Sequence, residues 1–192
     1  MTLGFMRTNT RMIPLAVTET TLIDELAELT YTAFAQHAPT WLPTPEDARR
    51  RVVKALEPTK VCRVLIDPDE RPLGWIGAIL QNHGRIWEIH PLVVAVTEQG
   101  KGYGRELVLE VERLAQQAGA LGLSVGTSDE TGATTLYGVD LYQQPLEALL
   151  NIRSKHRHAY EFWQKMGFVI VGVTPDAEGR GKPGISLAKR IA

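Results

Sequence analysis

The sequence predicts an α/β fold: one domain built on a mixed central β-sheet flanked by helices. Three observations predict it. Short apolar runs of strand length recur along the chain, and stretches with helical apolar spacing separate them. Their order is a strand, two helices, a meander of three strands, a helix, a strand, a helix and two strands, which gives a hairpin meander followed by crossover helices. The 192 residues suit one domain. A domain near this size buries roughly 70% of its unfolded surface.

Residues 1–11 read as a loose leader, because Arg7 and Arg11 accompany no apolar signal core. The run 12–17 is a first strand. Residues 19–36 form a helix, since Leu22, Ile23, Leu26, Leu29 and Ala33 repeat at helical spacing, with Thr18 or Thr20 as its cap. A loop at 37–45 carries Pro39, Pro43 and Pro45 around Trp41. Thr44-Pro45-Glu46-Asp47 then opens a second helix, to about Leu56, with an N-cap, a first-turn proline and two acids at the positive end.

Strands follow at 61–66, 72–81 and 86–96. Gly74 and Gly77 mark bulges or close approaches, and Pro91 marks a local break in pairing. A glycine-rich loop at 99–104 leads into a long amphipathic helix to about Ala118, with Leu107, Val108, Val111, Leu114 and Ala115 inward. Residues 121–127 are a strand. An insertion at about 128–154 contains a short helix after Pro145. A helix at 155–166 stops at Gly167, and strands at 168–173 and 185–191 finish the chain. There is no internal repeat.

Composition narrows the function. Hydrophobic residues are 44% and charged residues 22%, which is ordinary globular usage and not that of a disordered chain. A net charge of −1 argues against a global electrostatic nucleic-acid binder. No apolar run reaches the ~18–20 residues that span a bilayer. Cys62 is the single cysteine, so there is no internal disulfide and no thiolate-rich zinc site. The expectation is a soluble cytoplasmic protein with no metal, no nucleic acid and no membrane partner. Cys62 itself reads as a small core residue.

The sharpest local signal is Gln99-Gly100-Lys101-Gly102-Tyr103-Gly104, between a strand and a helix. Its glycines let successive backbone N–H groups converge, and the helix dipole adds positive potential, so the loop suits phosphate oxygens. It matches neither a Walker A loop nor G-x-G-x-x-G. Taken alone, it also fits a plain glycine-rich strand-to-helix turn.

In this position Gln-x-x-Gly-x-Gly resembles the acetyl-CoA pyrophosphate loop of the GNAT acyltransferase superfamily, and the element order agrees over nearly the whole chain. Longer motifs resemble the aminoglycoside 6′-N-acetyltransferases: 74–77 (Gly-Trp-Ile-Gly), 87–94 (Trp-Glu-Ile-His-Pro-Leu-Val-Val), 126–130 (Gly-Thr-Ser-Asp-Glu) and 160–168 (Tyr-Glu-Phe-Trp-Gln-Lys-Met-Gly-Phe), with 171–173 and Lys182-Pro183. The resemblance implies a GNAT-like sheet, with residues 12–192 as a single acetyltransferase domain. It implies acetyl-CoA as co-substrate and a polycationic small-molecule amine as acceptor. Leu92, Val93 and Val94 would pair with the pantetheine arm, and the Val93 N–H would meet the thioester oxygen. Gln99, Gly100, Lys101, Gly102, Tyr103 and Gly104 would hold the pyrophosphate.

Glu88 and His90 lie two apart on a strand and share a face. The resemblance makes Glu88 the general base, directly or through a water, with His90 as helper. The superfamily's usual proton-donating tyrosine is replaced by Trp163, and Tyr160, one turn earlier, is the substitute. A thiolate of pKa near ~8.5 leaves tolerably without an acid.

No Lys, Arg or His occurs between Arg113 and Arg153, whereas Asp129, Glu130, Asp140 and Glu147 do. Such a stretch attracts a polycation, and Tyr137 and Tyr142 suit stacking on sugar faces. Equally, it is an insertion that packs on a partner chain, as in a homodimer. Trp41, Glu88, Asp129, Glu130 and Asp140 are the expected acceptor contacts. Arg153, Lys155, His156, Arg157 and His158 form a basic cluster suited to CoA phosphates. Two other functions fit the sequence: a GNAT enzyme acting on a polyamine, peptide or protein amine, and a CoA-binding module without turnover.

Overall fold

The computed structural model describes residues 9–35, 38 and 40–192. Most of the expected leader, together with Gln36, His37 and Pro39, lies outside the described residues. The strands are β1 (Arg11–Pro14), β2 (Lys60–Ile66), β3 (Pro72–Gln81), β4 (Ile86–Val94), β5 (Gly122–Ser128), β6 (Val169–Thr174) and β7 (Gly184–Arg190). The helices are α1 (Thr20–Phe34), α2 (Pro45–Lys54), α3 (Tyr103–Gln117), α4 (Pro145–Leu150) and α5 (Ala159–Lys165). Among the described residues no helix is long and apolar enough to cross a membrane.

All seven strands form one mixed sheet in the order β1-β2-β3-β4-β5-β7-β6. The β1-to-β4 half is an antiparallel meander, and β4 runs parallel to β5. A separate core covers each face. Leu65, Ile76, Ala78, Trp87 and Ile89 pack with Leu107, Val108 and Val111 of α3 and with Trp163 of α5. Val64, Ile66, Trp75 and Val93 pack with Ile23, Leu26 and Ala27 of α1 and with Val52 of α2. The Trp75 indole is satisfied at full burial, donating to Thr30 Oγ1 at 2.8 Å.

Local chemistry sets the boundaries. Thr44 caps α2 by accepting from the Asp47 N–H, with Pro45 first in the helix, as expected. The N-cap of α1 is Glu19, not Thr18 or Thr20, and its carboxylate accepts from the Ala16 N–H. The last helix starts at Ala159 rather than 155, because His158 closes a capping box with Glu161. Upstream of it, Ser154 bridges to Thr134. The basic cluster therefore divides: His158 is a buried cap, and Arg153, Lys155, His156 and Arg157 stay exposed. Cys62 is buried, and burial pushes its thiol up to about 12, so it is an inert core residue.

Candidate active site

The site is created by a fault in β4. Ile89 pairs with Ala78 and Leu92 with Ile76, so His90 and Pro91 together oppose Gly77. This is the break expected at Pro91. A Cβ on Gly77 would lie 2.6 Å from the His90 carbonyl oxygen, which is why a glycine stands there. The extra residue reverses the alternation of faces. Trp87 and Ile89 point toward α3, and so do Leu92 and Val94, whereas Val93 joins the α1 core.

The parallel pairing of β4 with β5 stops at Ile89↔Val125, while β5 continues to Ser128 beside β7. Beyond Ile89, then, one edge of β4 faces a gap. The Ala95 N–H donates to the Leu73 carbonyl at 2.9 Å. Antiparallel alternation then gives Val93 a mutual bond pair with Trp75 and turns the amides and carbonyls of Leu92 and Val94 into the gap. This corrects the expectation for Val93: its N–H is spent on β3 and its side chain is buried. The Leu92 N–H is the donor aimed at the gap.

The glycine loop closes the far end of this gap. Gly100 has φ of 81° and Gly102 φ of 96°, and a Cβ on either would meet nothing within 4 Å. These glycines are needed for backbone conformation, not for space. Gly102 caps α3, whose first-turn amides have no carbonyl one turn back. Gln99 Nε2 donates to the Val94 carbonyl at 3.3 Å and ties loop to strand. Lys101 Nζ pairs with Glu98 at 3.0 Å. A Cβ at Gly104 would sit 3.6 Å from both Val94 and Phe162. Phe162 thus walls the loop from α5, a role that sequence reasoning missed because it depends on how α5 lies against α3.

On the opposite face, Glu88 and His90 precede the fault. Gln81 Nε2 donates to Glu88 Oε2 and orients the carboxylate. His90 Nε2 lies 3.1 Å from Arg51 Nη1, and its ring meets Trp41 edge-on at 5.5 Å. Arg51 stacks over Trp41 at 4.7 Å from the ring centroid. Burial, with Arg51, Lys60 and Lys54 adding positive charge, pulls the His90 pKa down to about 4. His90 is therefore neutral at pH 7 and accepts from the guanidinium. His90, on the same strand face as Glu88, brings Trp41 and Arg51 together, and Arg51 is a residue that the sequence did not single out.

The acidic stretch resolves differently. Asp129 is 1% exposed, and its carboxylate accepts from the amides of Thr131, Gly132, Ala133 and Thr134 and from the Thr134 hydroxyl, at 2.7–3.3 Å. This corrects its expected role as an acceptor contact: the lone pairs are committed to the loop. Burial alone would raise its pKa; the Thr134 hydroxyl and the loop amides outweigh that and hold it below the usual range. The stability this contributes is present above the unfolded value near ~3.9 and is lost as pH falls through the lower folded value. We expect Asp129→Asn to cost about 2 kcal/mol at pH 7. Urea unfolding at pH 7 and pH 3 checks it, and the cost should shrink at the lower pH.

Glu130 is buried as well. Its Oε2 accepts from the Thr40 N–H at 3.1 Å, beside Trp41, and its Oε1 has no partner among the described residues. Asp140 is exposed, and among the described residues it bonds within its own turn, to Tyr142 and Gln143. The insertion is anchored in the core through Leu136 and Leu141. Tyr160 is buried, with its hydroxyl accepting from Ser154 Oγ at 2.9 Å. No described hydrogen bond or ring contact links that hydroxyl to the gap. Trp163 packs between Phe162 and Phe168.

A sheet split by a bulge beside a glycine-rich helix N-terminus has clear counterparts. The sequence profile of the Acetyltransferase (GNAT) family matches residues 22–139. An aminoglycoside 6′-N-acetyltransferase solved in complex with coenzyme A is similar at 30% identity, covering 95% of this chain and 97% of that one, with a TM-score of 0.85. The aminoglycoside 6′-N-acetyltransferase from Enterococcus faecium is similar at 31% identity, with the same coverage and a TM-score of 0.83. An aminoglycoside 6′-acetyltransferase type Ii follows at 27% identity and a TM-score of 0.70. No curated protein sequence gives a significant match. On its fold, its split strand and its family profile, the chain belongs to the GNAT acetyltransferase family.

Proposed function

We propose that this acetyltransferase acetylates the 6′-amine of aminoglycosides by direct attack within a ternary complex with acetyl-CoA. The observation that supports the reading is that Glu88 and His90 share one face of β4, with His90 against Trp41, next to the gap toward which the Leu92 N–H is turned. The likeness at 30–31% identity to aminoglycoside 6′-N-acetyltransferases supports the same acceptor.

The co-substrate supplies an acetyl group activated as a thioester. The first-turn amides of α3 and those of the glycine loop bind its pyrophosphate. The amide of Val94 and the carbonyl of Leu92 extend sheet-type pairing to the pantetheine arm. Glu88 takes a proton from the acceptor's ammonium, directly or through a water, and frees the nitrogen lone pair. That nitrogen forms the new C–N bond at the thioester carbon while the Leu92 N–H donates to the developing oxyanion. The C–S bond then breaks, the electron pair leaves with sulfur, and the second proton passes from the acylated nitrogen to water, which leaves a neutral amide. Trp163 lies in the core and Tyr160 is bonded to Ser154, so neither is placed to act as the acid, and a thiolate of pKa near ~8.5 departs as the anion.

The unpaired Glu130 Oε1, beside the Trp41 loop, supplies a carboxylate for a second ammonium of a polycation. Thiol release measured with kanamycin and with a 6′-hydroxyl analogue tests the acceptor. We expect turnover of the amine and little of the alcohol. Equal rates would remove the 6′-N assignment. Turnover of a polyamine or peptide in place of both would move the acceptor class, and no thiol release from any of them would leave a CoA-binding module.

A further inference from the structure

Behind His90, on the side away from the gap, lies a cavity of about 180 Å³ lined by Arg51, Lys54, Ala55, Lys60, Ile79 and His90. A single water needs roughly 10–15 Å³ of such space, so the cavity takes a tetrahedral oxyanion with attendant waters. No carboxylate lines it. Arg51 is half-buried and makes no salt bridge among the described residues; its described partners are the neutral His90 ring and the Trp41 face. Lys54 has no ion pair among them either. Lys60 pairs with Glu57 at 2.9 Å and donates to the Lys54 carbonyl at 3.0 Å. Three cations thus face one cavity, and the acids whose charge reaches them, Asp47 and Glu57, are already engaged by Arg50 and Lys60. A half-buried guanidinium with no carboxylate in direct contact among the described residues is costly, and an anion placed there offsets the cost.

We propose that this cavity is a small-oxyanion site, taking phosphate, sulfate or a carboxylate, with Arg51 and Lys54 as its principal donors and Lys60 as its floor. The guanidinium fork offers paired N–H donors and the ammonium a point charge, the usual pair for such an anion. A bound anion cancels positive potential behind His90, so a cationic amine approaching Glu88 meets less repulsion. The site stands whether or not the acceptor is an aminoglycoside.

The test is calorimetric titration of inorganic phosphate into protein saturated with CoA, which occupies the other phosphate-binding loop. We expect one phosphate per chain with a dissociation constant of about 1 mM or tighter. Lys54→Met, at an exposed helix end, should weaken it about tenfold, and Lys54→Glu should weaken it further. NMR titration of His90 gives a second readout. Groups facing or near His90 are Arg51, Lys54, Lys60, Glu57 and Glu88, so phosphate should raise its pKa by about 1 unit in the wild type and not in Lys54→Met. Competition between phosphate and the acceptor would identify the anion as an acidic group of the acceptor. A lowered KM for a polyamine in phosphate would identify a free ion. Absence of phosphate binding to the CoA-loaded protein, or binding unchanged in both Lys54 variants, overturns the site.

Discussion

Gly102→Asp raises the dissociation constant for acetyl-CoA about 100-fold, equivalent to about 2.7 kcal/mol. Two effects add. Gly102 caps α3 with φ of 96°, a conformation costing a side-chain-bearing residue about 1–2 kcal/mol. The new carboxylate also lies where the amides of the first turn of α3 converge, and it competes with pyrophosphate for them. Nothing lies within 4 Å of the added Cβ, so the fold should survive the change. Gly102→Ala separates the two effects, because it keeps the backbone strain without the charge, and it should cost less. Calorimetry with CoA measures both variants. An unchanged dissociation constant in Gly102→Asp would exclude the loop from binding.

Glu88→Gln lowers turnover at neutral pH by 10²–10⁴-fold, the usual contribution of a positioned general base. The amide is close in size and retains an oxygen to accept from Gln81, so packing around it should hold. The expected signature is a fall in kcat, little change in the KM for acetyl-CoA, and loss of the acidic limb of the pH–rate profile. Persistence of that limb would hand the proton to another group. His90 does not replace it, because its Nε2 lone pair already accepts from the Arg51 guanidinium. Trp163→Phe serves as the contrast: its ring packs on Phe168 in the core, so its cost should fall on stability more than on kcat.

Glycine and proline placement was legible in one dimension. Pro91 and Gly77 announced the break in pairing, and Gly100 and Gly102 announced the turn onto α3, because these residues act through their own backbone limits. The helix capped by Thr44 was legible for the same reason. Asp129 was misread at the level of the single residue. Charge density along the chain is visible in sequence, but Asp129 is drawn inward by four amides that converge only after the loop folds around it. Val93 was misassigned because the direction of a strand amide depends on pairing register, which β3 sets.

By itself the sequence determined the element order, the split strand, the glycine-rich turn onto α3 and the pairing of Glu88 with His90 on one face. Each follows from spacing along a regular helix or strand, or from the torsional limits of glycine and proline. Only the tertiary structure decided which amides face the gap, that Phe162 walls the loop, that Arg51 sits on His90 and Trp41, and that Asp129 staples its own loop. Those outcomes depend on residues far apart in the chain, such as Arg51 and His90 or Gly104 and Phe162. Their proximity is set by the packing of α2 and α5 on opposite faces of the sheet, a property that no local pattern encodes.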